Sequence, residues 1–496
     1  MTGVISRRAV LGGLGSGLAS VAYANAPTRS IRPAPKAPGF DKLTLPSADA
    51  LVAQANLGGK LGFVVADANT GEVLEVRSPL LPLPPASVTK AITAVYGMSV
   101  LGAEHSFPTE VIATGPIEAG VVQGDLVLVG GGDPTLDTNA LAAMAAALKA
   151  KGVLALKGKF LVHGGRLPYQ RVIDPGQPDH LGYNPAVSGL NLNYNRVHFE
   201  WKRAGQSFDV AMDARSDRFR PSVNMAKMQI VDRKVPVYTY EDAMGVDNWT
   251  VARGALGNGG SRWLPVRRPD LYAGEVFQVL ARAQGVRLPP PVASGDAPQG
   301  VVLAQHRSRA LTEIARGMLK YSTNLTAEVI GLSASTELGA APTSLSGSGA
   351  MMATWAKAEL GANRPQFQDH SGLGDGSRLS ALDMVKVLVS AGPAGALQGL
   401  MKDVTPLDVK GRPRNAAPYG IQAKTGTLNF VSSLAGYVTA PDERRLAFAF
   451  FSADLDRRAA ISRQDRERPA GAKGWSRQSR WLQHQLLARW AIMHGT

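Results

Sequence analysis

The chain has 496 residues, 45% hydrophobic and 19% charged, a soluble globular composition that argues against intrinsic disorder and against a multi-span membrane protein. Its 54 Lys and Arg against 39 Asp and Glu give a formal charge of +15, which favours anionic partners. With no cysteine, the fold has no disulfide, no thiolate metal site and no cysteine nucleophile.

At roughly 150 residues per domain the length predicts about three domains. The first 26 residues read as an address: Arg7 and Arg8 precede an apolar, small-residue run, and Ala24-Asn25-Ala26 supplies an A-x-A cleavage site. Export to the periplasm is the expectation, and Ser6-Arg7-Arg8-Ala9-Val10-Leu11 has the form of a twin-arginine signal. Pro27, Pro33, Pro35 and Pro38 then mark an extended linker over 27–40. Gly62 to Asp67, the turn residues Asn69-Thr70-Gly71 and Val73 to Val76 predict a hairpin. Helical periodicity follows at Ile92, Val95, Met98 and Leu101.

Between about Phe107 and Val302 the texture changes to short β-like runs with Gly- and Pro-rich turns and one Ala-rich helix at Asn139 to Lys151. We read 107–165 with 266–301 as an inserted domain and the polar stretch 166–265 as a second one nested in it. That leaves 41–106 and 302–496 for the main domain. There, Leu311, Ile314, Ala315, Met318 and Leu319 predict a helix, Gly420 to Leu428, Ser432 to Thr439 and Arg445 to Ser452 predict strands, and Trp481 to Met493 predicts a last helix. Strands from both ends of the chain assemble most simply into one antiparallel sheet covered by helices.

Three short motifs carry the chemistry. Ser87-Val88-Thr89-Lys90 is the one place where a serine stands three residues before a lysine, and two prolines upstream put it at a helix start. Residues three apart share a helix face, so a hydroxyl and an amine become neighbours. A serine attacks a carbonyl only when a base takes its proton, and lysine serves once burial brings its pKa toward ~7 to 8. Read blandly, Ser87 caps a helix and Lys90 is solvated. Lys424-Thr425-Gly426, followed by Thr427, lies on a predicted strand. Alternation sends Thr425 and Thr427 to one face, where two hydroxyls can hold a carboxylate, and Lys424 with Gly426 to the other. Gly426 would let a substrate backbone lie along the strand. Ser322-Thr323-Asn324 stands between two helical patterns, where such residues are ordinarily caps. Ser222-Val223-Asn224 has the same form but falls in the charged inserted stretch, so Ser322 is preferred.

In this order, Ser87-x-x-Lys90, Ser322-x-Asn324 and Lys424-Thr425-Gly426 resemble the three motifs of penicillin-recognising serine acyltransferases. The long insert, with Gly130-Gly131-Gly132-Asp133-Pro134-Thr135-Leu136 and Leu192-Asn193-Tyr194-Asn195 inside it, is similar to that of the class C low-molecular-mass penicillin-binding proteins, which are D-alanyl-D-alanine carboxypeptidases and endopeptidases. Where those proteins often read D-G-S-G-L-S-R, this chain has Asp369-His370-Ser371-Gly372-Leu373-Gly374-Asp375. The resemblance implies an α+β fold: a penicillin-binding, serine β-lactamase-like domain with a five-stranded antiparallel sheet flanked by helices, and nested β-rich inserted domains. It implies Ser87 as nucleophile, Lys90 as its base, Ser322 and Lys424 as the relay to the leaving amine, and Asn324 holding the substrate amide. Thr425, Gly426 and Thr427 would line the substrate strand, and the backbone N–H groups of Ser87 and Thr427 would form the oxyanion hole. Peptidoglycan stem peptides are the implied substrate and β-lactams the implied inhibitors.

Two rival readings stay open: a β-lactamase on the same fold, and a non-catalytic basic module that binds the cell wall. No cofactor is expected, and no metal, because the eight histidines lack ligand spacing. His370 beside Asp369 invites a serine triad, though adjacent residues in a turn cannot easily face one serine. Nucleic acid is not an expected partner of an exported chain. The terminal helix, with Trp481, Trp490, Arg480 and Arg489, predicts a weak membrane-surface contact.

Overall fold

The computed structural model describes residues 42, 45–243, 245–392, 396–463 and 465–495, so the expected signal peptide and linker lie outside the described residues. Residues 46–496 pack as one unit. Its centre is an antiparallel sheet of β1 (Lys60–Asp67), β2 (Val73–Arg77), β3 (Gly420–Leu428), β4 (Val431–Thr439) and β5 (Arg445–Ala453) in the order β3-β4-β5-β1-β2. A sixth, two-residue strand, Lys402–Asp403, pairs with Ala423 and Gln422 at the β3 edge. The expected five-stranded sheet is therefore six-stranded, because two paired residues carry no alternation that a sequence could display.

Alternation in β5 explains why the sheet is buried on both faces. Ala447, Ala449 and Phe451 join the apolar cluster of one face, while Leu446, Phe448 and Phe450 join the other. The first face receives the helix Ala381–Ser390, which packs on β5 and β1, and its apolar cluster extends to α1 (Thr89–Leu101), against which α2 (Asn324–Glu337) packs. The second receives Ala48–Ala55 and α3 (Ala472–Met493).

Trp490 of α3 is 1% exposed, with its ring 5.5 Å from that of Phe63 and 6.1 Å from that of Phe448. Its indole N–H donates to Glu75 at 3.0 Å, and Arg489 reaches the same carboxylate at 3.4 Å. Two of the four residues expected at a membrane surface are thus spent inside the fold, and no helix among the described residues is long and apolar enough to cross a membrane. Trp490→Ala is expected to lower stability by about 3–5 kcal/mol, read as the shift in denaturant midpoint. A loss below ~1 kcal/mol would show that α3 does not anchor this face.

The described residues of 108–307 build four further sheets. The largest orders Pro291–Ala293, Phe160–His163, Leu126–Gly130, Pro108–Ala113 and Val301–Arg307, so the boundary expected at 302 falls inside a strand of this sheet. The Ala-rich helix spans Thr138–Ala150 and is capped by Asp137, whose carboxylate accepts from the Ala140 N–H.

Candidate active site

Ser87 lies in a short 3-10 turn, Ala86–Val88, that runs into α1. Ala86, just before it, has φ 47°, a left-handed conformation that costs a non-glycine residue about 1 kcal/mol or more and persists only where packing enforces it. Two glycines do so. A Cβ on Gly372 (φ 72°) would lie 1.9 Å from the Ala86 carbonyl oxygen. A Cβ on Gly426 of β3 would meet the Pro85 oxygen at 2.6 Å and the Ser87 nitrogen at 3.1 Å. Gly426 is thus required by the approach of β3 to the serine turn, a reason that differs from the substrate contact expected of it. Gly426→Val should displace Ser87 by a fraction of an ångström and cut acylation by about 10²-fold with the fold intact; acylation within threefold of wild type would show that the strand yields instead.

Neither Ser87 nor Ser322 caps a helix N-terminus with its side chain. The amine of Lys90, completely buried, stands 3.0 Å from the Ser87 hydroxyl oxygen, 2.7 Å from Asn324 Oδ1 and 2.7 Å from the Ser371 carbonyl oxygen. Loss of hydration pulls its pKa down to about 8, against the opposing pull of the Glu328 and Asp369 carboxylates. As a neutral amine it has two N–H donors and one lone pair. The Asn324 and Ser371 oxygens can only accept, so they take both donors and leave the lone pair facing the hydroxyl. Asn324 is oriented for this by its own Nδ2, which donates to the Tyr183 carbonyl at 2.9 Å. The inserted stretch therefore reaches into the site.

Ser322 ends helix Leu311–Tyr321 in a left-handed conformation (φ 58°), which turns its hydroxyl to the Lys424 amine at 3.0 Å. Burial holds the Lys424 pKa well below that of an ordinary ammonium, and the charges of Lys90 and Lys402 lower it further. On β3, Lys424 and Gly426 are buried while Thr425 and Thr427 are exposed on the other face. Ser87, Ser322, Asn324 and Thr427 line one cleft of about 940 Å³.

The structural roles of two buried acids were missed from sequence. Glu328, one turn after Asn324 on α2, accepts the His370 and Ser371 N–H groups at 2.9 and 3.0 Å. Asp369 accepts those of Gly372 and Gly374 at 2.5 and 2.6 Å. Together they fix the loop that delivers the Ser371 carbonyl to Lys90. Burial raises both pKa values. The i, i+4 spacing of Asn324 and Glu328 was the available signal.

Other candidates are set aside by their contacts. The His370 ring is buried, is held neutral with its pKa lowered to about 3 by desolvation, and bonds Ser348 at 2.7 Å rather than Ser87. Asn224 bonds Glu275 through its backbone and side chain, a structural tie. His198, Glu200 and Asp213 come close enough to share a cation, but the Arg215 guanidinium already bonds both carboxylates.

A desolvated amine held against an alcohol, with a second serine and lysine beside it, is the equipment of a serine acyl-transfer enzyme. The model of the D-Ala-D-Ala carboxypeptidase 3 (S13) family matches residues 45–469, and the chain belongs to this family of serine peptidases. A D-alanyl-D-alanine carboxypeptidase of Actinomadura sp. (strain R39) is 31% identical over 452 residues, 84% of this chain and 82% of the relative. The crystal structure of penicillin binding protein 4 (dacB) from Haemophilus influenzae superposes with a TM-score of 0.70 at 19% identity, covering 89% of this chain and 100% of that one. A second structure of it, complexed with a β-lactam, gives 0.66 at 18% identity, covering 88% and 99%.

Proposed function

We propose that the enzyme trims or opens peptidoglycan stem peptides through an acyl-enzyme on Ser87. The observation that carries this is the Lys90 amine, 3.0 Å from the Ser87 oxygen with its other partners restricted to acceptors. Ser87 attacks the carbonyl of the penultimate D-alanine and passes its proton to Lys90. The oxyanion forms between the N–H groups of Ser87 and Thr427, where loss of one donor costs about 10²–10³ in rate. Thr425 and Thr427 hold the terminal carboxylate, Asn324 the substrate amide, and Ser322 with Lys424 hands a proton to the departing amine. Water then frees the acyl group. β-Lactams present a carbonyl to the same serine, a reading supported by the β-lactam complex of the Haemophilus protein. Residues 1–26 have the pattern of an export signal, which supports a periplasmic site of action, where such a polymer lies.

Mass spectrometry of purified wall fragments incubated with the protein tests the proposal. The expected products are stems shortened by one alanine, or monomers released from cross-linked dimers. Unchanged fragments alongside rapid, repeated turnover of penicillin would replace this reading with a β-lactamase.

A further inference from the structure

The cleft that holds Ser87 continues along the first turns of α3, and its walls carry an excess of positive charge. Arg458, Arg466, Arg468, Lys473, Arg477 and Arg480 line it, against the carboxylates of Asp375 and Glu467. Both acids are engaged elsewhere: Asp375 pairs with Arg458, and Glu467 with His180 and Arg262. Arg466 donates to the Gly176 carbonyl at 2.5 Å. That leaves Arg468, Lys473, Arg477 and Arg480, all exposed and all without a side-chain partner among the described residues. Lys473, Arg477 and Arg480 recur at helical spacing, so they share one face of α3. The opposite face is locked to the body: Trp475 donates to the Gly58 carbonyl at 2.9 Å, Ser479 bonds Ser452 at 2.8 Å, and Gln483 donates to Ser432 at 3.0 Å. The helix backbone that carries the cations is therefore fixed before a ligand arrives. The three on α3 also lie beyond residue 469, where the match to the family ends.

We propose that this face binds a carboxylate-bearing stretch of the polymeric substrate beyond the D-Ala-D-Ala terminus, so that the enzyme favours multi-stem wall fragments over small peptides. The inference rests on the peptidoglycan reading above. Like charges crowded along one wall of a cleft repel, and an anionic strand laid beside them relieves that repulsion. The concave setting beside the nucleophile favours a substrate strand over a flat lipid surface, as does the burial of Trp490.

The test is the full-chain variant Lys473→Gln/Arg477→Gln/Arg480→Gln, assayed on soluble multi-stem wall fragments and on a small acyl-D-Ala-D-Ala peptide. The KM for fragments should rise about tenfold, as the loss of three exposed charge contacts implies, while kcat, small-peptide hydrolysis and penicillin acylation stay within twofold. In the wild type, that KM should climb with salt, and poly-glutamate, but not a neutral polymer of equal length, should compete with the fragments. An unchanged ratio of the two KM values overturns the proposal. So does loss of binding to phosphatidylglycerol vesicles with fragment KM unaltered, which would assign the face to lipid. A wild-type enzyme that leaves wall fragments and small peptide alike uncut overturns the wall reading itself, an outcome distinct from an unchanged ratio.

Discussion

Ser87→Ala is expected to abolish labelling by penicillin and to lower D-alanine release by on the order of 10⁶-fold, the scale seen when a serine nucleophile is removed from a preorganised site. The substitution deletes one oxygen from a position that is clamped from both sides by Gly372 and Gly426. Circular dichroism and the unfolding midpoint should therefore hardly move. No neighbouring hydroxyl can substitute, because Ser322 is bonded to Lys424, at a different lysine. Residual covalent labelling, located by peptide mapping to any other residue, would remove Ser87 from its assigned role.

Acylation should rise with pH through a transition near 8, to which Lys90 and the neighbouring Glu328 both contribute. The base works only without its proton, so well below that transition the rate should fall about tenfold per pH unit. Glu328→Gln should move the inflection to lower pH. The carboxylate opposes desolvation by favouring the ammonium, and removing it lets the amine lose its proton more easily. A shift of about one unit is expected, worth ~1.4 kcal/mol. Glutamine keeps one acceptor for the backbone of the loop, and penicillin stoichiometry reports whether the site is still folded. An unmoved inflection would mean that Glu328 carries no charge opposite the lysine.

The chain's local patterns were sufficient for the parts of the site that depend on short spacing. Ser87 and Lys90 share a face because a helix turns once in between, and β3 separates Lys424 from Thr425 because a strand alternates. The three motifs were legible, as were the sheet's long strands, α1 and the second half of α3; the sheet-covering helices Ala48–Ala55 and Ala381–Ser390 were not. The two-residue strand Lys402–Asp403 was not, and neither was the end of the inserted sheet at Arg307, since both are defined by pairing partners remote in sequence.

Tertiary structure decided what those residues can do. Asn324 meets Lys90 across 234 positions and the Ser371 carbonyl meets it across 281. Only that enclosure removes water from the amine and allots its protons. The same holds for Glu328, Asp369 and the Tyr183 carbonyl, whose parts depend on neighbours brought by folding. Trp490 and Arg489, which in sequence suited a membrane face, turned inward because Glu75 and the aromatic rings of the sheet satisfy them there. Sequence determined which groups exist and which lie one turn or one pleat apart. Folding determined which are dry, which are paired and which face a common cleft, because solvation and long-range contact are properties of the packed chain.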